Sequence, residues 1–547
     1  GSAGGLLALS APYVRLAQSS WLRLPGDTLV GTAAVAVDTG RQHRFSVDAD
    51  LIDLRNTTWL AGFDDVQLRS RGDLRFLGSG AALGSTGAQL IAPRSLDVTA
   101  AQLYPVADAG GVLAAGVSQP GSAISRWDDA EGIVRIHGLG GAVPVLPLSV
   151  SGGLSVVAAT IEQGGILRAP LGAITLGGTD ADGRRAGSVT LLPGSVTSTS
   201  GAGLSVPFGG TVDGVDWRRD GSAHAIPPVG GVAPGADPKG IAIISSRTEV
   251  AEGALLDLSG GGELTGAAFV SGRGGSVDIL RHALADANPR YGFSESASPV
   301  YAILPGYTGS AAPLGLSDGS LDPGIGQQIT IPAGVPGLPA GTYTLLPASF
   351  ALQQGAFRVE LGRTGAVGIG APLATGTGSW MVGGHTGSTL GGLRSPLLTA
   401  LLLTPADTVR RHSSYNETSY NAFVTTSAQR LGTPRGWQTV DAGTLRLGLG
   451  NGAGRDGTPA VSFQGQTRFA PAAGSAGIGG SVEVNLVNRL GELEVVAAGR
   501  TPSSTGNGAT IEADVLNALQ PSRLVLNAQV RATSNQRLQV AGAGQNL

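Results

Sequence analysis

LSVVAATIEQGGILRAPLGAITLGG (residues 154–178) alternates short apolar strands with glycine-containing turns, and the same unit continues to about residue 279. It returns as GSVTLLPGSVTSTSGAGLSVPFGG (187–210), IAIISSRTEVAEGALLDLSGGG (241–262) and GGSVDIL (274–280). Equivalent strands recur at irregular intervals of roughly 20 to 25 residues, which is the length of one β-solenoid coil. The pattern therefore predicts an all-β fold, a right-handed parallel β-helix (β-solenoid) whose stacked coils share one core.

The composition favours a thin core of small side chains. The chain of 547 residues has 89 glycines and 41% hydrophobic residues, but only 5% aromatic residues and a net charge of −3. The glycines do not fall at every third position, which excludes collagen, and the hydrophobic content excludes a disordered chain. The balanced charge argues against a nucleic-acid partner. The lack of cysteine excludes disulfides and thiolate metal sites.

The strand and glycine rhythm divides the chain into three parts. We predict β-helix coils in residues 1–281 and again in residues 437–547. Residues 282–436 lose the rhythm and gain prolines and tyrosines, so we expect a long insertion outside the helix, packed on the side of the rod. If about 18 coils stacked at the strand spacing, the rod would be on the order of 85 Å long. Helical turns are predicted only for residues 395–403 and 515–519.

Six of the eight tyrosines lie in the insertion and form the candidate binding surface. A tyrosine presents a flat apolar ring and a hydroxyl group, which suit contacts with both proteins and sugars. The same rings can also pack the insertion against the rod, so packing and recognition both remain open. The six residues are Tyr291, Tyr301, Tyr307, Tyr343, Tyr415 and Tyr420.

Two short motifs have an ordinary structural explanation. The tripeptide RGD at residues 71–73 is an integrin ligand in some adhesins, but here it lies between two strand patterns, where a solenoid needs a tight turn. The DADG string at residues 180–183 resembles the start of a calcium loop. However, Leu191 occupies the position where such a loop needs its glutamate. We interpret both motifs as solvated turns.

Enzymatic activity is not expected, although many β-helices cleave polysaccharides. Hydrolysis needs two converging carboxylates, whereas the neighbouring acids at 64–65 and at 128–129 would point to opposite faces of a strand. Lyases use basic residues, and Lys239 is the single lysine of the chain. The six histidines are scattered. We therefore predict no metal site and no cofactor.

Several longer strings resemble the large filamentous haemagglutinin-like exoproteins that Gram-negative bacteria export by two-partner secretion. The strings are LRAPLGAITLGG (167–178), PGLPAGTYTLLPASFALQQGAFRVELG (336–362), RRHSSYNETSYNAF (410–423), VDAGTLRLGLG (440–450) and LNALQPSRLVLNA (516–528). The resemblance implies a β-helical filament that an outer-membrane β-barrel transporter exports. The chain lacks the Asn-Pro-Asn motif of the family's secretion domain and has no toxin module, so we expect a shaft segment of a longer protein.

The expected function is structural and adhesive, on a bacterial cell surface or in the extracellular space. Family members act in adhesion, biofilm formation or contact-dependent toxin display, so the resemblance implies a host or bacterial receptor, a glycan, or other filaments as partners. An alternative is a receptor- or glycan-binding module that acts through residues 282–436. A polysaccharide-active β-helix enzyme is the remote third possibility.

Overall fold

The computed structural model describes most of the chain, with gaps. The described residues are 5–17, 43–78, 87–117, 124–183, 186–219, 221–224, 226, 239–272, 275, 277–316, 321–365, 370–487, 492–499, 508–526, 528–532 and 538–542. The protein is mostly β, with 46% strand and 8% helix, and it contains large parallel sheets. The predicted all-β class is therefore confirmed, and the sheets are compatible with a solenoid-like fold.

Three parallel ladders form the body of the protein, and we name them A, B and C. Ladder A consists of Leu6–Ala17, Arg44–Arg55, Asp65–Ser70, Ser95–Ala100, Ile133–Gly138, Thr160–Gly164, Ser188–Leu191, Arg247–Val250 and Val461–Phe463. Ladder B starts at the second half of Arg44–Arg55 and continues through Leu74–Leu77, Leu103–Pro105, Ile166–Arg168, Val196–Ser198, Leu255–Asp257 and Gln466–Arg468. Ladder C consists of Thr57–Trp59, Ala88–Ala92, Gly110–Ala115, Gly153–Val157, Ala173–Gly177, Gly240–Ser245, Thr444–Leu449, Ser481–Leu486 and Arg523–Leu526.

The core forms because equivalent inward side chains stack on one another from strand to strand. Successive side chains of a strand point to opposite faces, so every second residue enters the interior. In ladder A the register aligns Phe45, Val66, Leu96, Val134, Ile161, Val189, Thr248 and Val461 in one row. In ladder C it aligns Leu90, Leu113, Val156, Leu176, Ile243, Leu447, Val484 and Leu526. Together with ladder B these rows build one continuous hydrophobic cluster.

Outward side chains of neighbouring strands also meet, and some of them carry opposite charges. Arg446 is in register with Glu483 on the next strand of ladder C, and Arg523 lies one strand further, in register with Ser481. The Glu483 carboxylate lies 3.0 Å from Nε of Arg446 and 3.8 Å from Nη2 of Arg523. Opposite charges directly across neighbouring strands stabilise a sheet by a few tenths of a kcal/mol to about 1 kcal/mol per pair.

Two connections leave the ladders on the same side, between a strand of ladder B and the next strand of ladder C. The short connection, residues 199–239, follows Val196–Ser198, and the long connection, residues 258–443, follows Leu255–Asp257. In the described part of the chain, ladder C has nine strands, so at the ordinary strand spacing the rod is on the order of 40 Å long. The rod is shorter than predicted because much of the chain lies in the two connections. The predicted insertion, 282–436, lies within the long connection.

The long connection contains an antiparallel sheet of its own, which we call the lateral sheet. Its eight strands are Gly341–Thr344, Gln327–Ile331, Trp380–Ser388, Thr399–Pro405, Phe357–Thr364, Val300–Ile303, Leu346–Pro347 and Leu373–Ala374. Helices accompany it at Leu284–Ala287, Ala348–Leu352 (3₁₀), Ala406–His412 and Tyr420–Leu431. A second hydrophobic cluster joins this part of the chain to the short connection and to the rod.

A three-stranded sheet, the bridge sheet, links the short connection to the long connection. Glu263–Phe269 pairs in parallel with Ser205–Pro207 and antiparallel with Tyr415–Ser419. Smaller pairs join Arg126–Trp127 to Thr179–Asp180, Arg218–Arg219 to Ser222–Ala223, Glu492–Val496 to Gly508–Glu512, and Ala528–Ala532 to Leu538–Gly542.

The two predicted helical turns have different outcomes. Residues 515–519 belong to the helix Ala513–Leu519, as predicted. The prediction for 395–403 is wrong, because the apolar run there enters the lateral sheet as the strand Thr399–Pro405 and is buried on both faces. Among the described residues, no helix is long and apolar enough to cross a lipid bilayer.

Candidate functional site

A cleft of about 1010 Å³ lies between the bridge sheet and two other segments of the long connection, residues 277–286 and 349–354. Its floor is the strand Glu263–Phe269 with the neighbouring turn at 209–210. One wall comes from residues 277–286, and the other comes from the 3₁₀ helix with the two glutamines that follow it. The polar side chains that line the cleft are Ser205, Arg218, Thr265, Asp278, Arg281, His282, Asp286, Ser349, Gln353, Gln354, Tyr415 and Glu417.

The residues that form the floor of the cleft are small. Gly266, Ala267 and Ala268 follow one another along the central strand of the bridge sheet. A β-carbon at Gly266 would lie 2.5 Å from the ring of Trp217, so no larger residue fits there. Trp217 is buried behind the floor and donates a hydrogen bond from Nε1 to the Phe208 carbonyl at 2.9 Å. The floor therefore exposes mainly backbone and methyl groups.

Asp278 and Tyr415 form a fixed polar pair at one end of the cleft. The Tyr415 hydroxyl donates a hydrogen bond of 2.7 Å to Oδ1 of Asp278, and the Leu280 amide donates to the same oxygen at 3.0 Å. Burial raises the pKa of Tyr415 above its ordinary range, and the neighbouring Asp278 carboxylate raises that pKa further. Tyr415 is consequently a neutral donor at physiological pH, and it holds the carboxylate in place.

Glu417 is held on the opposite side by Arg410. Nε and Nη2 of Arg410 donate to the two carboxylate oxygens of Glu417 at 2.6 and 2.8 Å. Nη2 also donates to the Leu352 carbonyl at 2.6 Å, which ties the strand Tyr415–Ser419 to the 3₁₀ helix. This two-pronged geometry restricts the Glu417 side chain to one orientation.

The far wall contributes an amide and a hydroxyl group. Gln353 donates from Nε2 to the Ser205 carbonyl at 2.8 Å, which covers the outer strand of the bridge sheet. The Ser349 hydroxyl is buried and has no hydrogen-bond partner among the described residues. A buried hydroxyl normally has a partner, so Ser349 is a position where a ligand atom can supply one.

The tyrosines of the predicted binding surface do not meet at one place. Tyr291, Tyr301, Tyr343 and Tyr420 are buried. Tyr301 and Tyr343 belong to the core of the lateral sheet, and the Tyr343 hydroxyl donates to the Pro339 carbonyl at 2.6 Å. Tyr291 shares hydrogen bonds with the hydroxyls of Thr375 and Thr377. Tyr291, Tyr301 and Tyr343 pack the long connection internally, whereas Tyr420 packs it against the short connection.

Different surroundings hold Tyr420, Tyr307 and Tyr415. Tyr420 stacks edge-on against Trp217, with ring centroids 5.3 Å apart. Tyr307 is half-buried and donates to the Ala311 carbonyl at 2.6 Å. Of the six predicted residues, Tyr415 lines the cleft. Recognition by these tyrosines stays a prediction.

The RGD tripeptide forms a tight turn between ladders A and B. Arg71 forms ion pairs with Asp48 and Asp50 on the neighbouring strand, the second at 2.7 Å. Burial raises the pKa of Asp73, whose carboxylate accepts side-chain hydrogen bonds from Gln102 and Tyr104. The two charged groups of the motif are thus engaged by the rod itself.

The DADG string at 180–183 also forms a turn. Gly183 has a φ of 68° and its amide donates to the Asp180 carbonyl at 2.8 Å. Nη1 of Arg126 donates to the Ala181 carbonyl at 2.9 Å, so a cation already neighbours this loop. Among the described residues, no group of three or more His, Asp or Glu side chains is arranged to hold a metal ion.

Most residues of the cleft were not predicted from the sequence. Asp278, Gln353 and Glu417 come from three distant parts of the chain and meet only because the bridge sheet brings these segments together. No local motif marks any of them. The sequence offered two indirect signals. The predicted insertion, 282–436, includes Gln353 and Glu417, and Tyr415 lies two residues before Glu417.

No protein-family model matches this chain, and comparison with the curated proteins and with the solved structures finds no match either.

Proposed function

We propose that this chain is a right-handed parallel β-helix that forms part of the shaft of a secreted, filamentous haemagglutinin-like exoprotein. Its role is structural and adhesive, and its place is the outside of a bacterial cell, after export through an outer-membrane transporter. The observation that carries the proposal is the in-register stack of parallel strands around one hydrophobic cluster. Stacked coils of this kind suit a load-bearing rod, because each strand bonds to the strands before and after it.

The shaft acts mechanically in this proposal. Bending the rod would stretch backbone hydrogen bonds on its convex side and compress those on its concave side, so the rod resists bending. The alternating charges of Arg446, Glu483 and Arg523 add cross-strand attraction on the surface. The rod then holds whatever it displays at a fixed distance from the cell.

The long connection is the part that the shaft displays, and buried cations fix it to the rod. Nη1 of Arg75, a fully buried residue of ladder B, donates to the Ala312 carbonyl at 3.1 Å. Arg219 of the short connection donates to the Leu316 carbonyl at 2.9 Å. Gln353 and Asn416 donate to the Ser205 and Thr211 carbonyls at 2.8 and 2.6 Å. Such a fixed attachment supports a rigid contact surface over a tethered one.

A second function, receptor or glycan binding through residues 282–436, is favoured by the cleft. A concave site with several converging polar groups is where small ligands bind in most proteins. In that case the rod is the support and the long connection is the contact.

A shortened variant tests the proposal. The Gly261 amide donates to the Thr439 carbonyl at 2.8 Å and the Thr439 hydroxyl donates to the Gly262 carbonyl at 2.6 Å, so the two ends of the long connection are adjacent. Joining Gly262 to Thr439 through two glycines removes residues 263–438 while the ladders stay closed.

Both proteins, labelled with the same dye, are then applied to host cells and to bacterial cells. We expect the parent to attach and the shortened protein to attach weakly, and electron microscopy should show right-handed rods for both. Equal attachment of the two proteins would remove the adhesive role of the long connection. A left-handed coil, or a structure without stacked coils, would contradict the β-helical shaft.

A further inference from the structure

We propose that the cleft beside the bridge sheet binds an uncharged oligosaccharide. This inference rests on the second function proposed above, ligand binding by the long connection, and it names the site and the chemical class of the ligand. Four features of the cleft lead to this assignment: its charge balance, its fixed polar groups, its partly exposed rings and its fully paired floor strand.

The charges that line the cleft nearly cancel. Three carboxylates, Asp278, Asp286 and Glu417, face two guanidinium groups, those of Arg218 and Arg281. A site for a polyanion such as a sulfated glycan or a nucleic acid would present an excess of cations, and a site for a basic peptide would present an excess of acids. A balanced lining is suited to a ligand that is polar and uncharged.

The hydrogen-bonding groups of the cleft are held in position before any ligand arrives. The Asp278 carboxylate is fixed by the Tyr415 hydroxyl at 2.7 Å, and Glu417 by two hydrogen bonds from Arg410 at 2.6 and 2.8 Å. Sugar hydroxyls donate and accept at once, so they match a mixture of carboxylates, amides and guanidinium groups. Fixed groups reduce the entropy that is lost on binding.

The cleft also offers apolar surface of the right kind for a sugar ring. Phe269 and Tyr415 are half-buried and lie across two paired strands, with ring centroids 6.1 Å apart and planes inclined by 59°. On the same face of the sheet, the small side chain of Ala267 leaves space above the floor. The C–H face of a sugar can pack against these groups while its hydroxyls reach the walls.

An extended peptide fits less well, because the strand that forms the floor of the cleft is already paired on both sides. Glu263–Phe269 is paired on both sides, with Ser205–Pro207 and with Tyr415–Ser419. The outer strand Ser205–Pro207 has its Ser205 carbonyl covered by Gln353. A peptide that adds to a sheet needs a free row of amides and carbonyls. The volume of about 1010 Å³ lies at the upper end of small-ligand sites, which accommodates several sugar rings.

Titration calorimetry of the full chain with defined probes tests this inference. The probes are neutral glucan, galactan and chitin oligosaccharides of four to six rings, a heparin oligosaccharide, and an extended peptide of similar length. We expect at least one neutral oligosaccharide to bind, with an affinity that is nearly independent of salt concentration.

Three variants and one matched control locate the binding. Asp278→Asn keeps an acceptor for Tyr415 but removes the charge, and should weaken binding about tenfold or more. Tyr415→Phe keeps the ring and should weaken binding several-fold, whereas Tyr343→Phe removes an equivalent hydroxyl outside the cleft and should change nothing. Ala267 lies opposite Glu417 on the cleft side of the floor strand, so Ala267→Trp should fill the cleft and abolish binding.

Three results would overturn the inference: no neutral probe binds the folded parent, heparin or the peptide binds in preference, or binding is unchanged in Asp278→Asn and Ala267→Trp. Cell attachment separates this failure from failure of the proposed function. Attachment that is lost when residues 263–438 are removed, but kept in Asp278→Asn and Ala267→Trp, rejects the cleft as the site and retains the long connection as the contact. Attachment that is unchanged in all of these variants rejects both.

Discussion

At the scale of single residues, Lys239 is a buried cation that forms an ion pair with no carboxylate in the described part of the chain. It is 1% exposed, and its ammonium donates to the carbonyls of Ser259 and Asp441, where the chain leaves and re-enters the rod. Burial lowers the pKa of Lys239 from 10.5 to about 7, partly offset by the nearby charges of Asp257 and Asp441. Carbonyl groups alone do not replace the water that a charged ammonium loses.

This burial predicts that stability increases with pH between about 7 and 9. In that range the unfolded lysine still binds a proton that the folded lysine has released, so raising the pH favours the folded state. The slope contributed by one such group is at most about 1.4 kcal/mol per pH unit. Denaturant unfolding at pH 7, 8 and 9 should show a steeper increase for the parent than for Lys239→Met. Identical slopes in the two proteins would mean that Lys239 releases no proton in the folded state.

A second residue-scale prediction concerns the buried ion pair in the long connection. Arg358 and Glu360 are 0% and 2% exposed, and Nη1 lies 2.6 Å from Oε2. The guanidinium also donates to the carbonyls of Ile279 and His282 at 2.6 and 2.8 Å. The pair thereby fastens residues 279–282 to the centre of the lateral sheet.

Glu360→Gln should destabilise the long connection by roughly 3–5 kcal/mol, because it leaves the Arg358 charge buried without a counter-charge. Glu295→Gln is the matched control, since Glu295 pairs with the exposed Arg363 at 3.0 Å. Exposed pairs contribute at most about 1 kcal/mol, so the control should unfold almost like the parent. Thermal unfolding of the three proteins provides the measurement. Equal midpoints for Glu360→Gln and Glu295→Gln would contradict the assigned role.

At the scale of the secondary-structure elements, the ladders need glycine for two different reasons: a positive φ, and a lack of space for a β-carbon. Gly177 ends a strand of ladder C with a φ of 96°, and a β-carbon there would lie 1.9 Å from the Ile244 carbonyl oxygen of the next strand. Gly194 has a φ of 78° in a turn, with no atom within 4 Å of such a carbon. Gly153 has neither a positive φ nor a neighbour within 4 Å.

Alanine at these three positions should therefore give graded losses of stability. We expect no significant change for Gly153→Ala and a loss of about 1–2 kcal/mol for Gly194→Ala, which has the backbone strain alone. Gly177→Ala should lose at least twice as much, because the strand Gly240–Ser245 must also move away. Denaturant unfolding ranks the variants, and a similar loss for Gly177→Ala and Gly194→Ala would show that adjacent coils can adjust without difficulty.

The same elements explain what the sequence could predict. The strands of the ladders repeat a local pattern, so the sequence of residues 154–279 was enough to predict an all-β fold. The helix Tyr420–Leu431 was missed, although its signals are present: the Ser419 side chain caps its first turn and Gly432 ends it with a φ of 62°. Its buried positions 420, 423, 424 and 427 follow the helical period. These signals were hidden among strand-like residues on either side.

The cleft could not be predicted for a different reason. Its polar residues are spread along the sequence from Ser205 to Glu417, and they meet only where the bridge sheet packs against residues 277–286 and the 3₁₀ helix. Tyr415 was among the predicted residues because tyrosines are easy to notice. Asp278 and Gln353 lie in unremarkable strings, and only the pairing of Glu263–Phe269 with Tyr415–Ser419 gives them a common surface.

At the scale of the whole molecule, the rod and the long connection should be separable units of folding. Ladder C continues without interruption past the long connection. The strand Gly240–Ser245, which precedes the connection in the chain, pairs in register with Thr444–Leu449, which follows it. The ladder core contains no residue of the lateral sheet. The second cluster is shared, however, and removing residues 263–438 would uncover Phe208 and Trp217 of the short connection.

Hydrogen exchange on the protein in which Gly262 is joined to Thr439 measures this separation. We expect the amides of the three ladders to keep their protection to within about 1 kcal/mol of the parent, while amides of the short connection around Phe208 and Trp217 exchange faster. A general loss of protection in the ladders would mean that the rod needs the packing of the long connection to stay folded. The long connection would then be part of the support itself, and the rigid display of a contact surface by an independent shaft would be the wrong description of this chain.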